Sequence, residues 1–449
     1  MDDEIGLKIV SSSPVFWAFT ALNRFLRYAK DFNVSDKKSF LTNISSLGVL
    51  TIVNQLLVLM TIPYLTRILG PSGWGEVVLV LMGINTLVWF CSWGFHLGAD
   101  RAIAGALGCP SKISTIFSEV ISAQFILMAG CYVLLGFLLA SGVLGNKSEL
   151  AVAGSFLILA NFLSPYWLLS GLERFSWVAV FRLLPKVLTL ALIFKYVKSP
   201  NDLTVYLYIL SGSELITGVI ISLWITFYLK ISFIKVTLES IRAVINLNFN
   251  FFIAAATENL RGMLGNIFIA YFVGTAEVGF YNVALRVKGA AITIFQPISH
   301  VLFPRMSSLY ASKSMDIRKY LFRSLILLGG SSLLASVALY VLAEEIIILI
   351  SGADYLKAVP ALKIISISPF LATIGVLLTH QIIIPSGDSD FYKRLIFYVF
   401  IFSLPTTLIL SWVFGMHGSA LALVLSELVF VLLSLKYVYY HRANLKLTA

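Results

Sequence analysis

The sequence predicts an all-α polytopic membrane protein, with about 12 transmembrane helices in two six-helix lobes and both termini cytoplasmic. Three observations predict it. Of 449 residues, 59% are hydrophobic and 12% charged, about half the roughly 25% charge of a soluble domain, and the mean hydropathy is +0.91. The apolar residues fall in runs of the ~20 that a helix needs to cross ~30 Å of hydrocarbon. The loops between the runs carry basic residues mainly on one side, as expected where lysine and arginine resist translocation.

Residues 1–42 hold an apolar stretch around Val15-Phe16-Trp17-Ala18-Phe19 followed by Arg24, Arg27 and Lys30. It is too short to span and is expected to lie in the interface as an amphipathic helix. Span one (43–66) closes at Arg67 and a Gly-Pro turn, and span two (75–99) at Asp100-Arg101. Span three (113–141) follows Lys112. Spans four (149–170) and five (176–197) are parted by Gly171 and Glu173-Arg174, and Lys198-Ser199-Pro200 precedes span six (203–229). The basic segment from Lys230 to Arg242 leads into span seven (246–273), Gly274 into span eight (277–304), and Arg305 to Lys319 into span nine (320–350). Gly352 and Asp354 precede span ten (359–385), Gly387 and Asp388 span eleven (391–414), and Gly415 span twelve (416–440). Prolines 63, 165, 185, 297, 369 and 405 are expected to break or kink their helices.

With this register, 22 of the 33 lysines and arginines lie on the side of the termini and 6 on the other, leaving five inside spans. The asymmetry supports the even count and the cytoplasmic termini. No outside loop is long enough for an extracytoplasmic catalytic domain. The acidic start Met1-Asp2-Asp3-Glu4 lacks the basic segment of a cleaved signal peptide. Cys91, Cys109 and Cys131 have neither disulfide-framework nor zinc spacing. The +11 formal charge follows from membrane insertion rather than from binding nucleic acid. No Walker A loop, G-x-S-x-G, H-E-x-x-H or CxxC occurs, so a transporter is expected rather than an enzyme.

Three signals recur between the halves. Gly70-x4-Gly75 and Gly274-x4-Gly279 follow spans one and seven; Ser170-Gly171 and Ser386-Gly387 follow spans four and ten; Ser213-Glu214-Leu215 and Ser426-Glu427-Leu428 lie in spans six and twelve. Their order and near-constant offset predict a six-plus-six parallel repeat about an axis along the membrane normal. The expected organisation is an N-terminal segment (1–42), an N-lobe (43–240) and a C-lobe (241–449).

The run Thr61-Ile62-Pro63-Tyr64-Leu65-Thr66-Arg67-Ile68-Leu69-Gly70-Pro71, with Gly75, resembles the first hairpin of O-antigen flippases of the polysaccharide transporter family. These belong to the multidrug/oligosaccharidyl-lipid/polysaccharide exporter superfamily. Gly279-Phe280-Tyr281-Asn282-Val283-Ala284-Leu285-Arg286 resembles that family's eighth-helix opening, and Gly352-Ala353-Asp354-Tyr355 its loop into the tenth helix. The resemblance spreads over residues 43–440. It implies alternating access and a polyprenyl-pyrophosphate-linked oligosaccharide, such as an O-antigen unit for lipopolysaccharide, moved from the inner to the outer leaflet of a bacterial plasma (inner) membrane. Membrane lipids, and a glycan polymerase with its chain-length machinery, are the expected partners. A multidrug or cation antiporter and a peptidoglycan-precursor flippase of the same superfamily are the alternatives, with a membrane glycan polymerase behind them.

A charge at the bilayer centre costs about 2.5–3.5 kcal/mol on insertion scales and marks a functional candidate. Five cations qualify as substrate-binding residues of an electropositive cavity: Arg286, Arg261, Lys288, Arg182 and Lys186. Arg286 lies about nine residues into span eight, ~13 Å deep. Lys288, two positions on, points elsewhere, so only one of the two is expected at the central cavity, and Arg286 is favoured. Arg261 shares a helical face with Glu258, either as a cavity-facing cation that the carboxylate tunes or as a self-neutralising pair that aids packing. Arginine offers paired, permanently charged donors to pyrophosphate oxygens. Glu214 and Glu427 are candidates for binding a coupling H+ or Na+, with packing between helices the commoner role for such acids. His380 and His300 are candidates for titration near neutrality or for bonds across helices. No other cofactor and no metal is expected.

Overall fold

The computed structural model describes residues 37–293, 295, 306, 309, 310 and 317–441. The chain divides into two compact units, 1–49 and 50–449. The expected interfacial helix around Val15 to Phe19, and His300 and Pro297, lie outside the described residues.

Among the described residues all regular structure is helical. In chain order the helices are α1 (Lys37–Ser92), α2 (Phe95–Ala104), α3 (Pro110–Ala140), α4 (Ser148–Leu163), α5 (Tyr166–Gly171), α6 (Phe175–Tyr196) and α7 (Leu203–Trp224). They continue with α8 (Leu238–Phe272), α9 (Thr275–Thr293), α10 (Ile317–Ser324), α11 (Gly330–Val341), α12 (Ala343–Ser351), α13 (Val359–Ile365), α14 (Ser368–Leu378) and α15 (Ser389–His441). Wide π turns extend α7 at Ile225–Leu229, join α10 to α11 at Leu325–Gly329 and extend α14 at Thr379–Ile383. Among the described residues, eight segments are long and apolar enough to cross a bilayer.

A glycine interrupts each of the two longest helices. Gly70 (φ 67°, ψ 174°) breaks α1 and Gly415 (φ 57°, ψ −131°) breaks α15, conformations that cost an L-residue dearly. The reversal in α15 follows from its hydrogen bonds. The Ser403 hydroxyl donates to Ser426 Oγ at 2.8 Å, although 23 residues of straight helix would hold them ~35 Å apart. Two crossings are therefore folded back to back.

The bilayer shows in what is left uncovered. In the most apolar window of α3 the hydropathy is 2.1, yet 28% of it is buried within the protein, against 61% in the window over residues 353–383. Val133 and Phe137 on α3, like Leu334 on α11 and Trp412 on α15, are largely exposed. Water would penalise such surface at ~25 cal/mol per Å²; lipid does not.

Boundaries depart from the sequence reading where backbone torsions intervene. Span two stops at Trp93 (φ 43°) and Gly94 (φ 73°) before resuming as α2. The expected span nine, 320–350, ends at Val341; Leu342 breaks it, and α12 starts anew with Glu344 and Glu345 in its first turn. Pro63, Pro185 and Pro405 stay inside continuous helices, whereas Pro165 separates α4 from α5 and Pro369 opens α14. In a membrane helix neighbouring groups can satisfy the carbonyl that proline leaves free.

In packing, α4 and α6 flank α7, and α15 contacts α8, α13 and α14. Helix α8 also contacts α2 and α3, so it joins helices of both sequence halves. There Phe252 stacks between Trp89 (4.7 Å) and Trp93 (3.9 Å), and the Trp93 indole donates to the Ile245 carbonyl at 3.0 Å.

Candidate functional site

Three stretches far apart in sequence meet at one end of the fold. The Arg67 guanidinium donates to the carbonyls of Leu349 (2.7 Å) and Ile348 (3.3 Å), and Gly352 lies against its side chain. Tyr355, fully buried, meets Phe280 edge-on at 5.7 Å. The two repeated glycine turns touch: a Cβ on Gly75 would fall on the Thr275 carbonyl, one on Gly279 on the Pro71 carbonyl, and Ser72 and Thr275 hydroxyls lie 3.4 Å apart. Glycine is needed there because backbone meets backbone. The seam thus pairs Gly-x4-Gly of one half with Gly-x4-Gly of the other.

Beneath this seam a cavity of about 270 Å³ opens between the second half of α1, the start of α7, and α8 and α9. Its wall runs from Trp74 to Trp89, fifteen residues or ~22 Å of helix. Arg286 is exposed to it and is the one charged residue among its described lining. Around it stand Asn85, Asn259, Asn266 and Asn282. Helical spacing explains the set: Asn85 and Trp89, Asn259 and Met263, and Asn282 and Arg286 are each four apart, one turn on one face.

A second cavity, about 400 Å³, lies on the other side of the α8–α9 pair, against both halves of α15. Arg261 and Lys288 line it. Lys288 Nζ donates to Glu427 Oε1 at 2.6 Å, their side chains 13% and 12% exposed. Hydroxyls surround the pair, among them Ser403, Ser419 and Ser426.

A third group gathers among the helices of the N-terminal half. The Arg182 guanidinium sits 5.0 Å over the Tyr166 ring, and Glu214 is within electrostatic reach of Lys186 and Arg182. The five cations thus occupy three places: Arg286 alone in the first cavity, Arg261 and Lys288 in the second, Arg182 and Lys186 beside Glu214. Lys288 and Arg286 diverge because positions two apart on a helix point about 200° apart. The Glu258 side chain lies outside the description. His380 sits half-buried in the π turn that extends α14. Glu214 and Glu427, matched by the repeat, each face a lysine, and the serines before them both bond back to their own helix, Ser213 to Ile209 and Ser426 to Ala422.

The four asparagines and two tryptophans of the first cavity escape a reading that weighs only formal charge. Their signal was present as amides at one-turn spacing within apolar spans.

The model of the family described as "Polysaccharide biosynthesis protein" matches residues 40–310. The "Putative O-antigen transporter" of Escherichia coli (strain K12) is 27% identical over 410 residues, 90% of this chain and 98% of that protein. Among solved structures, an inward-facing multidrug resistance MATE family transporter of the MOP superfamily superposes with a TM-score of 0.74 at 14% identity, covering 89% of this chain and 99% of that one. The lipid II flippase MurJ in its inward closed conformation gives 0.73 at 15%, covering 87% of each. At such identities the likeness is one of fold alone. With the family match covering more than half its length, the chain belongs to the polysaccharide biosynthesis protein family.

Proposed function

We propose that this protein flips a polyprenyl-pyrophosphate-linked oligosaccharide, an O-antigen or similar surface-polysaccharide unit, from the inner to the outer leaflet of a bacterial inner membrane. The observation that carries the reading is the first cavity, built by helices of both halves and combining one arginine with four amides. The arginine suits a phosphate oxygen, and the amides suit sugar. The prenyl tail stays in lipid, where it keeps its apolar contact.

Twelve crossings, cytoplasmic termini and two lobes meeting near residue 240 complete the proposal. The glycine seam would close the outward end, so that rocking of the lobes opens it and exposes the cavity to the other side. The MATE family transporter is inward-facing and MurJ is in its inward closed conformation, which supports an inward state here. Energy comes from consumption of product by a polymerase or from an H+ or Na+ gradient acting at Glu214 or Glu427.

A cation extruder fits less well, because the described lining of the cavity holds no carboxylate. A lipid II flippase shares the fold and the chemistry of the linker and differs by glycan. The test is leaflet accessibility: liposomes holding the protein and a fluorescent polyprenyl-pyrophosphate glycan, with an impermeant quencher added outside. Protein-dependent quenching beyond the outer-leaflet half supports the proposal. A trace matching empty liposomes, with and without an imposed ion gradient, rejects it for that glycan.

A further inference from the structure

Four buried polar atoms on residues lining the first cavity have no hydrogen-bond partner within the protein: Oδ1 of Asn266 and of Asn282, and Nε1 of Trp74 and of Trp89. Buried polar groups are nearly always satisfied. Here two acceptors and two donors are left over within the walls of one cavity. No ion of a single sign can satisfy both kinds, whereas a hydroxyl both donates and accepts.

We infer that Asn85, Asn259, Asn266 and Asn282, with the Trp89 indole, read the hydroxyls of an uncharged sugar, while Arg286 alone takes the linker phosphate. The assignment rests on the flippase reading and goes beyond it by naming the residues that set glycan specificity and the sugar class they select. A carboxamide offers two N–H donors and a carbonyl acceptor in fixed geometry, so four of them make a neutral surface matched to vicinal hydroxyls. A uronic or other acidic sugar would bring a second anion to a space whose described lining supplies one guanidinium, already committed to phosphate. At about 270 Å³ the cavity falls at the small end of ligand sites. It holds the sugars next to the linker, with the rest of the unit extending beyond it. Trp89, braced by its stack on Phe252, gives one rigid wall.

The test uses the full-length protein in lipid nanodiscs with three probes: undecaprenyl pyrophosphate, the same lipid carrying a neutral N-acetylhexosamine disaccharide, and the same lipid carrying a disaccharide that ends in a uronic acid. Asn85 and Asn259 are exposed, so truncating them leaves the packing intact. Wild type should bind the neutral glycolipid about tenfold more tightly than the bare pyrophosphate, the worth of one or two net hydrogen bonds. N85A/N259A should bring the two within about twofold without changing affinity for the bare lipid, N85Q should keep part of the preference, and R286A should weaken all three probes. An unchanged ratio in N85A/N259A, or tighter binding of the uronate lipid by wild type, overturns the assignment yet leaves the flippase reading standing. Failure of wild type to bind any probe overturns both.

Discussion

Replacing Gly75 or Gly279 by alanine tests whether the glycine seam is a closed gate. A Cβ on Gly75 would sit 2.7 Å from the Thr275 carbonyl carbon and 3.1 Å from the Gly279 nitrogen; one on Gly279 would sit 3.0 Å from the Pro71 carbonyl carbon. Every one of these neighbours is backbone, so no side chain can swing away. The carbonyl oxygens of Thr275 and Pro71 lie nearer still, so restoring ordinary contact at about 3.5 Å means parting the helices by more than about an ångström. Overpacking of this kind costs about 1–3 kcal/mol. The cost falls on the sealed state alone and shifts the sealed-to-open ratio about 5- to 150-fold. The readout is a disulfide between S72C and T275C, whose native hydroxyls are 3.4 Å apart, in a chain carrying C109S; Cys91 and Cys131 are buried. Oxidation should cross-link the parent rapidly, stop leaflet transfer and be reversed by reductant. Adding G75A or G279A should slow cross-linking by the same 5- to 150-fold and lower transport. Cross-linking at the parent's rate in both alanine variants, with transport intact, would refute a gate at this seam.

Arg286→Ala should abolish glycolipid transfer with protein level unchanged, and Arg286→Lys should keep part of it; Arg261→Ala, on the other face of α8, should act through thermal stability in detergent rather than through substrate affinity. Truncating one member of the Lys288–Glu427 pair leaves a buried charge alone, at about 3–5 kcal/mol, so Lys288→Met or Glu427→Leu should each lower the melting temperature while the double variant recovers most of the loss. The Asp388 carboxylate accepts from the Phe391 N–H and the Tyr437 hydroxyl, both at 2.9 Å, tying the start of α15 to its end. The Phe391 N–H, foremost, holds its pKa below the ordinary carboxylate range. A lowered folded value means that the tie stabilises above about pH 4 and is lost as pH falls through the folded pKa. Hydrogen-exchange protection over 386–395 and 434–441, taken relative to the intrinsic amide rate at each pH, should therefore fall on acidification in wild type and be low at every pH in Asp388→Ala.

The helical order was readable because it rests on burial in lipid, which leaves long apolar runs, and on glycines that no other residue replaces at a reversal. Gly70 and Gly274, matched as a repeat in the sequence, both have positive φ, and their turns meet. Contact between them was not readable, since periodicity orders residues along a helix and says nothing about which helix end meets which. The same limit applies to the cations. Helical phase separates Arg286 from Lys288 on one helix, but placing Lys288 against Glu427, 139 residues away, needs the fold. Trp93 ending span two, and Leu342 ending span nine, left no mark in hydropathy because both residues are apolar.

The dispersal of the cations bears on how such a cavity could work. Five converging charges would each carry an insertion cost of about 2.5–3.5 kcal/mol and would hold a pyrophosphate too firmly to release it at the far leaflet. Sites that conduct must bind well enough to admit a ligand and weakly enough to let it leave. Here Lys288 is neutralised by Glu427, and Arg182 lies on Tyr166 within the field of Glu214. These charges contribute to packing within each half, where breaking a pair is costly. One guanidinium is left facing the space between the halves, among amides whose hydrogen bonds are each worth about 1 kcal/mol net. Affinity spread over several weak, neutral bonds can be given up one bond at a time as the walls separate. Charging the amide wall should therefore slow release more than it aids capture: Asn85→Lys is expected to tighten binding of undecaprenyl pyrophosphate and to lower the rate of transfer. A variant that binds more tightly and also transports faster would show that capture, not release, limits the cycle.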